Sequence, residues 1–186
     1  RDNDENYLMS EKGGDWKPFS LTMEGFDGPW QPQSLTADFL IATAQPDDSP
    51  NAPTHVLRYD RANGVWEDVF KVGFATIDRV ITNDDGDLSR VYYVSDKPRI
   101  AFFDDTDTLN QVGQFFVDNY ENYDISIVGA TTDKQRAVIS VGSSAELPEF
   151  FIFDGVNNSV RFLLGASSAM EGIALSKSQY FAYENN

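Results

Sequence analysis

Cysteine is absent from the 186 residues, which excludes both a disulfide framework and a zinc–thiolate site. Histidine occurs once, at His55, so chemistry needing two imidazoles is excluded too. No apolar run approaches the roughly 18–20 residues needed to cross a bilayer as a helix. Residues 1–15 are polar and do not read as a secretory signal. Basic residues are scarce: 14 Lys and Arg stand against 30 Asp and Glu, a formal charge of −16. That balance argues against nucleic acid and anionic membranes as partners, since both reward clustered Lys and Arg. Its plain meaning is a soluble, self-repelling surface, with a cation-rich partner or salty surroundings as the functional alternative. Nothing in the sequence fixes a compartment.

What is present is globular: 41% apolar and 13% aromatic residues, in a length that suits one domain with its own core. The stretch from Tyr123 to Leu164 holds four short apolar runs, Ile125–Gly129, Ala137–Val141, Phe150–Phe153 and Val160–Leu164. Turn-formers separate them: Thr132-Asp133-Lys134, Gly142-Ser143-Ser144 and Asp154 to Asn158. Such runs, rich in Ile, Val and Phe, read as strands joined by hairpins, with no window for an amphipathic helix of ten or more residues. Four antiparallel strands in about forty residues is the size of one β-propeller blade.

The same signature recurs along the chain. Val56 to Asp60 leads through Arg61-Ala62-Asn63-Gly64 into Val65-Trp66. Ile100 to Asp104 leads through Asp105-Thr106-Asp107-Thr108 into Leu109, and Phe151 to Asp154 through Gly155-Val156-Asn157-Asn158 into Val160. Asp60, Asp104 and Asp154 thus repeat about every 45 to 50 residues, and Glu11 keeps the period at the start. Each Asp is placed to accept from the amides of its own turn rather than to catalyse or bind metal. The expected architecture is all-β: a propeller with half blade 7–22, blades 30–70, 77–116 and 123–164, and half blade 172–184. Within blade 77–116, Leu109–Phe116 is the expected fourth strand. A closed four-bladed ring, sealed by the two half blades, and an arc of a larger propeller both fit; an arc would expose edges through which copies could pair as a homodimer. Aromatic neighbours such as Tyr92-Tyr93, Phe102-Phe103 and Phe150-Phe151 are expected to pack on opposite faces of their strands.

Three strings carry a resemblance: Val91-Tyr92-Tyr93-Val94-Ser95-Asp96-Lys97-Pro98-Arg99, Asp133-Lys134-Gln135-Arg136-Ala137-Val138-Ile139-Ser140-Val141, and Pro148-Glu149-Phe150-Phe151-Ile152-Phe153-Asp154. With Tyr180 to Asn186 as a final strand, residues 77–186 resemble the propeller of prolyl oligopeptidase-family serine peptidases, in particular the acylaminoacyl-peptidase-like bacterial branch. The resemblance implies a two-domain enzyme in which the propeller admits short peptides to an α/β-hydrolase domain following residue 186. This chain itself is then not an enzyme. The dipeptidyl-type branch holds its substrate amine with adjacent glutamates, and no Glu-Glu occurs here.

Residue by residue, no catalytic, cofactor-binding or metal-binding group is assigned. A nucleophile elbow needs Gly-x-Ser-x-Gly at a strand-to-helix turn, and both Gly142-Ser143-Ser144-Ala145-Glu146 and Gly165-Ala166-Ser167-Ser168-Ala169 lack the final glycine. His55, opening a strand after a Pro-rich loop, reads as a surface or edge residue. Asn83-Asp84-Asp85-Gly86-Asp87 invites calcium, but counting an EF-hand from Asn83 puts Leu88 at the sixth position and Val94 at the twelfth. It and Asp104-Asp105-Thr106-Asp107 read as solvated turns. Asn157-Asn158-Ser159 matches a glycosylation sequon that turn chemistry explains equally well. No carboxylate pair stands out for glycosidase chemistry. The expected function is a non-catalytic, substrate-gating propeller portion of a serine peptidase; the alternative is a free-standing propeller that binds a peptide or protein.

Overall fold

Strand-length apolar runs ending in Asp, Asn or Gly turns dictate a chain of antiparallel hairpins. The structure, a computed structural model, describes residues 7–10, 16–49, 51–73, 75–167, 173 and 175–179, with 7–10 and 16–18 described through their backbone alone. The chain divides into two compact units, Arg1–Gly73 and Phe74–Asn186.

In the first unit, β1 (Tyr7–Ser10) and β2 (Trp16–Phe19) form a hairpin. A four-stranded meander follows, in chain order: β3 (Trp30–Leu35), β4 (Phe39–Ala44), β5 (His55–Asp60) and β6 (Val65–Lys71). The two inner strands carry the core, with Leu40, Ile41, Ala42, Val56 and Leu57 all buried. Consecutive buried residues mean that both faces of these strands are covered, which is why they are apolar throughout rather than alternating. On one face Phe19 meets Trp30, Tyr59 and Trp66 at centroid distances of 5.1–6.2 Å.

The second unit opens with a three-stranded sheet, β7 (Thr76–Thr82), β8 (Leu88–Val94) and β9 (Pro98–Phe102). Helix α1 (Thr108–Asn119) comes next, then a second four-stranded meander of β10 (Asp124–Ala130), β11 (Arg136–Gly142), β12 (Glu149–Asp154) and β13 (Ser159–Gly165). The meanders at 30–71 and 124–165 coincide with the strands expected from the apolar runs.

Between them the expectation fails. Leu109–Phe116, expected as the fourth strand of its sheet, is the body of α1. Among the described residues the fold is therefore mostly β with one helix, rather than all-β. The reason lies in side-chain spacing: Leu109, Val112 and Phe116 fall on one helical face and are buried, together with Asn110 and Gly113. Asp107 caps the helix by accepting from the Leu109 amide at 2.8 Å. The apolar stripe packs on Ile125, Ile127, Ala137, Ile139, Val141 and Phe153 of the following sheet. Burying Phe116 there contributes about 2–3 kcal/mol of hydrophobic stabilisation. Gly113 permits the approach, because a Cβ at that position would stand 2.7 Å from the Phe102 ring.

At the chain's end, the expected half blade 172–184 finds no strand among its described residues: Ile173 and Leu175–Gln179 lie in none. The rest of that segment, and Glu11, lie outside the described residues.

Candidate functional site

The three recurrent aspartates do the same work. Asp60 Oδ1 accepts from the amides of Ala62 and Asn63 at 2.8 and 3.1 Å. Asp154 Oδ1 accepts from those of Val156 and Asn157 at 3.1 and 3.4 Å. Asp104 Oδ1 accepts from those of Thr106 and Asp107 at 3.0 and 3.2 Å. The second oxygen of each is also engaged, by the side-chain amides of Asn63, Asn157 and Asn83 respectively. These donors stabilise the carboxylate, so all three pKa values lie below the ordinary 3.8. The main causes are the Asn63 amide for Asp60, the Thr106 hydroxyl for Asp104 and the Asn157 side chain for Asp154. Carboxylates so occupied are structural corners.

The other residues singled out by sequence are also bound into the fold. His55 is neither on the surface nor on an edge strand. It is buried in the inner strand β5, its Nδ1 lies 2.8 Å from Asp68 Oδ2, and the Phe26 ring stands edge-on at 4.9 Å. A carboxylate that orients an imidazole is half of an acid–base device, but at 7% exposure this ring is closed to a substrate. Ser143 follows β11 into a hairpin turn, where its Oγ accepts from the Ala145 amide at 3.2 Å, and no helix follows. Asn83 Oδ1 accepts from the amides of Asp85 and Asp87, so the acidic turn is organised by an amide side chain. Among the described residues no group of three or more His, Asp or Glu is placed to hold a metal ion.

A buried polar knot had no sequence warning. Asn110 Nδ2 donates to the carbonyls of Ser89 and Asp104 at 3.0 and 2.8 Å, and its Oδ1 accepts from Arg90 Nη1 at 3.0 Å. One side chain thereby ties α1 to β8 and to the Asp104 corner. Beside it, Lys134 Nζ lies 3.1 Å from Asp107 Oδ2 and 3.5 Å from Asp84 Oδ2. The Asp107 hydrogen bond is the main cause of a Lys134 pKa above the usual lysine value. This ion pair sits at the N-terminal end of the helix, and Lys134 itself adopts a left-handed φ of 56° in the β10–β11 turn.

The open feature of the second unit is a cleft between α1 and β13. The helix covers β10, β11 and part of β12 but stops short of the edge strand. Phe153 pairs with Val160 and Phe151 with Phe162, so these four share the face that carries the helix. Val160 and Phe162 are 39% and 58% exposed there, and Phe115 on the helix flank is 52% exposed. Two hollows, of about 590 and 600 Å³, lie at the two ends of the cleft. The first is walled by Thr108, Gln111, Phe115, Phe153 and Val160. The second is walled by Tyr120, Tyr123, Glu146, Glu149 and Phe162. Between them the rings of Phe116, Phe151 and Phe162 stand in sequence, with neighbouring centroids 5.6 and 5.9 Å apart. At the acidic end Tyr123 Oη donates to Glu146 Oε2 at 2.7 Å, and that bond, with the carboxylate's charge, raises the tyrosine pKa. This arrangement offers apolar surface with carboxylates at one end; it contains no nucleophile–base pair. Compared with protein-family models, characterised proteins and solved structures, the chain matches none.

Proposed function

We propose that the chain is a non-catalytic portion of a β-propeller whose work is to hold and admit polypeptide rather than to transform it. The supporting observation is the repeated corner: at or just past the end of the third strand in three successive sheets, an aspartate accepts from the amides two and three residues ahead. Repetition of one Asp-centred corner at a blade-length interval is the mark of a propeller. In the specific setting implied by the peptidase resemblance, the module gates short peptides toward a hydrolase domain. The quoted strings sit on β8 and its turn into β9, on the β10–β11 turn and β11, and on β12, which are blade positions in that reading. A free-standing binding module is the second reading, favoured by the exposed cleft between α1 and β13.

The test is direct. Incubated with peptide arylamides and with a fluorophosphonate probe, the chain is expected to show neither turnover nor labelling. A labelled serine would overturn the non-catalytic assignment. Supplying the coding sequence downstream of residue 186 separates the two settings: Gly-x-Ser-x-Gly in a hydrolase pattern supports gating, and its absence supports the binding module.

A further inference from the structure

We infer that β13 and the cleft beside it receive an extended segment of a partner polypeptide, apolar at alternate positions and carrying a basic residue at its N-terminal end. This inference rests on the binding reading above and names the ligand of that surface.

Edge strands are ordinarily blunted against pairing by charge, proline or bulges. Most edges of this chain's larger sheets follow the rule. Strand β3 carries Pro32 and a bulge beside it; β6 carries Glu67, Asp68 and Lys71; β7 carries Asp78 and Arg79 with two register shifts; β9 opens on Pro98-Arg99. Strand β13 is blunted least: a bulge at Leu163 interrupts its pairing with β12, but it has no proline and its exposed side chains are apolar. Its sequence Ser-Val-Arg-Phe-Leu-Leu-Gly has one charge, and Phe162, Leu163 and Leu164 are 46–58% exposed. Among the described residues it is paired on one side only, with β12. A row of free backbone donors and acceptors next to exposed apolar side chains is the template for strand addition.

The dimensions fit such an addition. From Thr108 to Tyr120 the helix wall runs about 18 Å at 1.5 Å per residue, and Val160–Gly165 runs about 17 Å as a strand. A segment added antiparallel to β13, the sense of every pairing among the described residues, would turn every second side chain toward the helix. Two of these, four residues apart, reach the two hollows. Its N-terminal end would lie by Gly165, at the hollow holding Glu146 and Glu149. The same end receives the C-terminus of α1, whose last turn carries no basic residue to offset its partial negative charge. A lysine or arginine is the side chain that complements this end. The charge of −16 disfavours a second copy as the occupant and favours a cationic one.

The test uses the full chain and three fluorescein-labelled ten-residue peptides read by anisotropy. The first is Lys-Lys followed by alternating Val/Phe and Thr, the second has the same composition with the alternation scrambled, and the third has Glu-Glu for Lys-Lys. The first is expected to bind at least tenfold more tightly than either control, and more weakly as salt is raised. Phe162→Glu, at a position exposed enough to leave folding intact, is expected to weaken it tenfold or more. Glu146→Gln with Glu149→Gln is expected to weaken the first peptide and to bring the third closer to it by relieving like-charge repulsion. Equal binding of the scrambled peptide, indifference to Phe162→Glu, or a dimer in solution dispersed by Phe162→Glu would each overturn the inference. None of these results touches the absence of turnover, so the non-catalytic reading stands or falls separately.

Discussion

Two corners of the chain begin alike and end differently. At Asp154 the chain turns back at once into β13; at Asp104 it leaves its sheet and forms α1. Both aspartates accept from the amides two and three residues ahead. The divergence comes later, at the third and fourth residues. After Asp154 these are Asn157, which donates back to the Asp154 carboxylate, and Asn158 at a φ of 44°. After Asp60 they are Asn63, with the same bond, and Gly64 at a φ of 66°. A left-handed residue there reverses the chain and closes the hairpin, and Gly or Asn occupies that conformation at least cost. After Asp104 they are Asp107 and Thr108. Asp107 is extended, with φ −70° and ψ 119°, and caps a helix that Thr108 begins. One residue in the left-handed conformation therefore separates a fourth strand from a helix.

The largest test of this contrast asks whether α1 replaces the missing strand as part of the core. Phe116, 1% exposed, is its main anchor. Phe116→Ala is expected to cost about 3–5 kcal/mol in the second unit. All three tryptophans, Trp16, Trp30 and Trp66, lie in the first unit and α1 in the second. In urea titrations the helical circular dichroism at 222 nm should therefore lose its midpoint far more than tryptophan emission does. A loss under about 1 kcal/mol would make the helix an appendage to the sheet.

How far the sequence reveals this depends on which interactions are local. Strands β3 to β13 were legible because period-two alternation, or a short apolar run between turn residues, is a property of adjacent residues. The Asp corners were legible for the same reason: donor and acceptor lie two or three residues apart. The helix was hidden by the repeat itself, since Val112-Gly-Gln-Phe-Phe-Val117 is as strand-prone as the segments it was aligned with. Its signals were nonetheless present in Asp107 as a cap and in Leu109, Val112 and Phe116 at helical spacing. Asp-x-x-Asn-Gly and Asp-x-x-Asn-Asn against Asp-x-x-Asp-Thr is the readable difference. The His55–Asp68 pair, the Asn110 knot and the cleft beside β13 were not legible. Each depends on which residues a register or a docked helix brings together across 6 to 50 residues of sequence.

A smaller effect isolates the left-handed residue. Gly64→Ala places a Cβ where its nearest neighbour is Tyr59 Oη at 3.7 Å, so the cost is conformational and not steric. It should be about 1 kcal/mol, seen in the tryptophan transition of the first unit and absent from the helix signal. Asn158→Gly should act oppositely in the second unit, with a gain of a few tenths of a kcal/mol. If Gly64→Ala were neutral, the hairpin would be set by the strands and not by the corner.

The smallest effect is electrostatic, and its sign follows from the direction of the shifts. Asp60, Asp104 and Asp154 titrate below 3.8 when folded, so folding binds fewer protons than the unfolded chain does in that range. Their contribution is fully present above the unfolded value and is lost as pH falls through the folded values. Asp96, held at about 2 chiefly by its hydrogen bond from Arg99, adds to the same acid limb at its lower end. Asp154→Asn keeps an oxygen that accepts from Val156 and Asn157 but removes the titration. Near neutral pH the variant should be less stable than the wild type, having lost the charged acceptor of the Asn157 side chain, while between about pH 4 and pH 2 its second unit should lose less stability than the wild type, so that the two converge. Asp104→Asn should flatten the limb in the same way, because its carboxylate accepts from the corresponding two backbone amides, although its side-chain donors are Thr106 and Asn83 and a helix follows. A flattened limb for one and an unchanged limb for the other would mean that the two corners differ already at the aspartate, and not four residues later.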